Sequence, residues 1–78
     1  MRLKYNFSDF MWKVRKERDL SHVEVTKLTG LSRTTLSSME NSANGVTLEN
    51  VESFLDGMKL TLEDFVKYLN EMSPRQRP

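Results

Sequence analysis

The segment from Leu20 to Asn41, LSHVEVTKLTGLSRTTLSSMEN, constrains the chain most, because a single glycine divides it into two short amphipathic halves. Ser21 and Glu24 have the three-residue spacing of a capping box, which predicts a helix start, and Leu20, Val25 and Leu28 fall on one face of that helix. Thr29-Gly30 ends it. Gly30 stands where a chain leaving a helix commonly turns into the left-handed region, and Ser32 follows as the cap of a second helix with Leu36 and Met39 inward.

The other face of the second helix carries Arg33, Thr34, Ser37, Ser38 and Asn41. Two short helices joined by a tight glycine turn are the layout of a helix-turn-helix, whose second helix enters the major groove of DNA. Small hydroxyl and amide side chains beside one arginine suit that approach, since they exchange hydrogen bonds with bases and phosphates without holding the helix away. Arg33, in the first turn, is placed for a base or phosphate contact, with Thr34, Ser37 and Ser38 sharing its face. Ser32 and Lys27 flank it. Asn41 either ends the helix or meets a phosphate, and His22 is either a solvated side chain or a phosphate contact.

The pattern L-S-x-x-x-V-x-x-x-T-G-L-S-x-x-x-L-S-x-x-E-N resembles the Xre family of phage and bacterial regulators, which includes lambda-type repressors and Cro proteins. The resemblance covers about Phe7 to Tyr68. It implies an all-α, five-helix DNA-binding domain with the helix-turn-helix at helices two and three. It also implies a structural pair between Arg15, late in the first helix, and Glu40, at the end of the recognition helix. Two positions depart from the family pattern: His22 stands where a phosphate-touching glutamine is usual, and Thr26 where a small alanine is usual.

Charge supports the same half of the chain. The net charge is only +1, but Met1 to Asn41 holds eight basic residues against five acidic ones, and Ser42 to Pro78 four against six. The attractive field for a polyanion therefore lies with the helix-turn-helix, leaving the other half for self-association or a partner. With 78 residues the chain forms one small domain that buries about 60% of its unfolded surface, too little for a deep catalytic cavity. No cysteine and one histidine exclude a disulfide framework and a cysteine or multi-histidine metal site. No nucleophile-base pair or phosphate-cradling glycine loop appears, so a non-enzymatic protein without a cofactor is expected. Without a long apolar run, a cytoplasmic location is expected.

Five helices account for the domain, residues 1–72: one from about Ser8 to Arg18, the two above, a fourth from a Thr47 cap to about Met58, and a fifth from Thr61 to about Met72. Asn44-Gly45 marks a turn, and residues 73–78, SPRQRP, read as a disordered tail. Phe10 and Trp12 leave two readings open. Met1 to Asn6, with Leu3, Tyr5 and Phe7 alternating, folds back over them as a short strand, or they contact a protein partner. Met58, Leu60, Leu62, Tyr68 and Met72 hold more apolar surface than one small core uses: most of it reads as core, and some as a homodimer interface around helix five. The function expected is a sequence-specific regulator of double-stranded DNA, a repressor of phage or mobile-element type. The alternative is a protein-binding module of the same fold, antitoxin-like or antirepressor-like.

Overall fold

Phe7, Phe10, Met11 and Val14 recur at the spacings that put side chains on one side of a helix, and they form the inner face of α1, Leu3–Glu17. Four shorter helices follow in the computed structural model, which describes residues 2–71: α2, His22–Thr29; α3, Arg33–Ser42; α4, Leu48–Gly57; and α5, Leu62–Glu71. The domain is all-α. The expected tail, residues 73–78, lies outside the described residues, as does Met72.

The first helix corrects an expectation. Leu3 to Asn6 form its first turn instead of a returning strand, and Arg2 and Lys4 lie over the Tyr5 ring, 4.6 and 5.4 Å from its centroid. What covers Phe10 is α5, whose Phe65 and Tyr68 rings sit 5.3 and 5.4 Å from it. Phe10 is therefore core and not a partner contact, while Trp12 is only half-buried and lies under Lys16. Phe7 joins the helices at the centre, meeting Phe65 at 5.0 Å and Phe54 of α4 at 5.9 Å, both edge-to-face.

Around that centre α1 packs on α3 and α5, while α2 packs on α3 and α4. The α2–α4 contact is close enough to require glycine at residue 57. A Cβ there would lie 2.4 Å from the Leu28 carbonyl oxygen and 2.5 Å from the Thr29 Cα. Because α4 meets backbone at this point, Leu28 does not turn inward as its spacing predicted and is exposed, while Val25 is fully buried.

The ends of α1 and α4 share one geometry. Leu20 N–H bonds to the Arg15 carbonyl and Asp19 N–H to Lys16, and Leu60 and Lys59 repeat this with Leu55 and Asp56. Each is a Schellman closure that folds a leucine against the core, with Asp19 (φ 54°) and Lys59 (φ 57°) in the left-handed position where glycine is usual. Arg18 ties the two ends together by donating from Nη1 to the Met58 carbonyl at 2.7 Å.

Candidate nucleic-acid interface

The helix-turn-helix is built from caps of three-residue reach. Ser21 N–H donates to Glu24 Oε1 at 2.8 Å and Glu24 N–H to Ser21 Oγ at 3.1 Å, a complete capping box at the start of α2. The Ser21 amide first, and its hydroxyl second, hold the exposed Glu24 carboxyl below the usual carboxylate value, with Lys27 assisting. Gly30 leaves α2 with φ 79° while its N–H reaches the Thr26 carbonyl at 2.9 Å. Thr29 steadies the turn by donating its hydroxyl to the Val25 carbonyl and accepting from Leu31 N–H. Ser32 then starts α3, its Oγ accepting from Thr35 N–H at 3.1 Å.

On α3, Leu36, Met39 and Glu40 are buried, so the rest of the helix faces away from the core. By helical periodicity Arg33, Ser37 and Asn41 form one outward row and Thr34 and Ser38 the next. Arg33, Thr34 and Asn41 are exposed, whereas Ser37 and Ser38 are half-buried. Asn41 Nδ2 donates to Ser37 Oγ at 3.1 Å, and Ser42 Oγ to the Ser38 carbonyl at 3.0 Å. α3 runs to Ser42, so Asn41 does not end it. Ala43 does, at φ 61°. Lys27 is exposed on α2, and the hydroxyl of Ser32 is engaged as the cap.

A buried charge cluster sets the angle of α3. Glu40, 1% exposed, accepts from Arg15 Nε at 2.9 Å on Oε2 and from Arg15 Nη2 at 3.0 Å on Oε1. Arg15 also donates from Nη1 to the Leu20 carbonyl, so the same guanidinium holds the chain entering α2. His22, the first residue of α2, brings Nε2 to 3.2 Å from Glu40 Oε1. Ser8 completes the arrangement by donating Oγ to the Glu40 backbone carbonyl at 2.6 Å. One carboxylate therefore joins α1, α2 and α3.

Sequence reasoning missed the parts of this cluster that depend on direction rather than type. Ser8 stands three residues before the buried Met11, which puts it beside the inner face of α1, but its partner 32 residues away was not readable. Arg18 and Gly57 carried no signal beyond residue type. The described residues contain no group of acids and histidines that could hold a metal ion, and no helix among them is long and apolar enough to cross a membrane.

A family model described as a helix-turn-helix domain matches residues 8–65. The control protein C.MunI of a Mycoplasma species is 36% identical to this chain over 63 residues, which is 80% of this chain and 85% of that protein. No solved structure matches.

Proposed function

The chain belongs to the Xre family of helix-turn-helix DNA-binding transcription regulators, and we propose that it binds a specific duplex as a homodimer on an inverted repeat and acts as a repressor. Its action is occupancy, not chemistry. The observation that carries this reading is the outward face of α3, where exposed Arg33 and Thr34 stand among small hydroxyl and amide side chains on a helix whose buried side is pinned by Glu40.

Arg33, Thr34, Ser37 and Ser38 read base edges, Arg33 through two parallel donors suited to guanine. Lys27, His22, Ser32 and Asn41 meet phosphates and set register, as contacts of that kind do around a docked recognition helix. Two such helices in successive major grooves lie about 34 Å apart. The surface for pairing is α5, where Leu62 is 60% and Val66 46% exposed four residues apart. C.MunI, a control protein by name, supports a regulatory role.

Selection from a random duplex library tests the reading: an enriched inverted repeat supports sequence recognition and dimeric symmetry together. No enrichment and no shift of any duplex at low salt, with stoichiometric capture of a protein partner, would replace it with the protein-binding alternative.

A further inference from the structure

His22 is the only histidine of the chain, and its ring does not simply project into solvent. Nε2 faces Glu40 Oε1, an oxygen that already accepts from Arg15 Nη2 at 3.0 Å and Nε at 3.2 Å. A carboxylate held by a guanidinium has only lone pairs to offer, so the hydrogen of the neutral ring belongs on Nε2 and Nδ1 keeps a lone pair. The side chain is 24% exposed, and the first helix of the motif crosses the DNA backbone. A lone pair turned to a phosphate repels it.

We infer that Glu40 positions the His22 ring so that it meets a phosphate only as imidazolium, with Nε2–H donating to Glu40 and Nδ1–H to the phosphate, and that the DNA complex therefore requires the protonated ring. This rests on the DNA-binding reading above. The charged groups around the ring fit the step. From α3 comes Glu40, from α1 Arg15 behind it, and on α2 itself Glu24 is turned to the Ser21 amide. On the α4 side, Gly57 meets α2 at Leu28 and Thr29, nearly two turns away. Arg15 and Glu40 balance one another, so the added ring charge is matched by the phosphate. Glu40 acts here as a positioning residue and does not touch DNA.

The sign follows from linkage. If the bound state holds one more proton than the separated partners, affinity rises as pH falls and is lost as pH rises, by up to about tenfold per pH unit for each protomer bound. His22→Gln keeps a donor at this position without a titrating group, so its binding should be nearly independent of pH and at least as tight as wild type at the alkaline end.

The test measures binding of wild type and His22→Gln to a mixed-sequence duplex at low, constant ionic strength from about pH 5.5 to about pH 8.5, the range in which imidazoles change charge. A pH-dependent wild type beside a flat variant supports the inference. Equal slopes in the two proteins overturn it. Long-range nitrogen–proton spectra of the single imidazole in the uncomplexed protein, taken at the alkaline end, give an independent readout: hydrogen on Nε2 agrees, and hydrogen on Nδ1 contradicts the positioning by Glu40. No binding by either protein at any pH would instead sink the DNA-binding reading itself, and this inference with it.

Discussion

α3 and α5 are both ten residues long and both pack on α1, yet they are held in opposite ways. α3 is fixed by two apolar side chains and a buried carboxylate, Leu36, Met39 and Glu40, which leaves its outer face wholly polar. α5 buries Phe65, and Tyr68 and Leu69 in part, while Leu62 and Val66 extend its apolar stripe beyond what α1 covers. The contrast separates two ways of meeting a partner. A helix anchored by directional bonds presents a defined rank of hydrogen-bonding groups, suited to a polar groove. A helix with surplus apolar width gains from a second apolar surface, which in the dimer proposed above would be a copy of the same chain.

The largest effect expected from breaking this contrast is at the charge cluster. Arg15→Ala or Glu40→Ala leaves a buried charge without its partner, a loss of about 3 kcal/mol that thermal melting would register as a fall of well over 10 °C for a domain of this size. The double variant should lose less than the sum of the two. Strict additivity would mean that α3 is held by its leucine and methionine alone and is not different in kind from α5.

Next in size is Gly57→Ala, which forces a methyl against the backbone of Leu28 and Thr29 and should cost about 1–3 kcal/mol in denaturant unfolding. A neutral result would show that α2 moves on α4 without penalty. On the other side of the comparison, Leu62→Ser with Val66→Ser should change the stability of the protomer by no more than about 0.5 kcal/mol while converting dimer to monomer in sedimentation equilibrium. An unchanged mass would place self-association elsewhere.

The smallest effect concerns Glu24. Its folded carboxyl lies below the ordinary value, so it stabilises the domain above the unfolded value and loses that contribution as pH falls through the folded one. Melting of wild type and Glu24→Gln from neutral to acid pH should show a difference that shrinks toward acid. A difference that grew would reverse the sign of the capping box.

The elements most legible in the sequence are those set by neighbours. Ser21, Ser32 and Thr47 cap α2, α3 and α4 through bonds of three-residue reach, and the five-helix order follows from such starts and from helical spacing. Of the interactions between distant segments, only the Arg15–Glu40 pair was expected, through the family resemblance; the others were not legible. The alternation of Leu3, Tyr5 and Phe7 reads as a strand only if nothing continues it, but Phe7 begins the apolar spacing of a helix that extends back through Leu3. Leu28 has the spacing of an inner residue, and only the approach of Gly57 to its backbone shows why its side chain lies outside. The stops of α1 and α4 fall near the expected Arg18 and Met58, but the left-handed residues that close them, Asp19 and Lys59, are not glycines and gave no sign of that closure. On α3, the outward rows follow from periodicity. The turn of the His22 ring toward Glu40 depends on an angle between α2 and α3 that residue types do not encode.

We propose that α3 reads bases through Arg33, Thr34, Ser37 and Ser38. Duplexes selected by wild type and by Arg33→Ala from the same random library decide it most directly. The variant should lose preference at one base pair in each half-site, a discrimination worth about 1–3 kcal/mol, while its non-specific binding at low salt is much less affected. An identical consensus from the two proteins would contradict it, leaving Arg33 as a backbone contact and sequence preference to DNA shape.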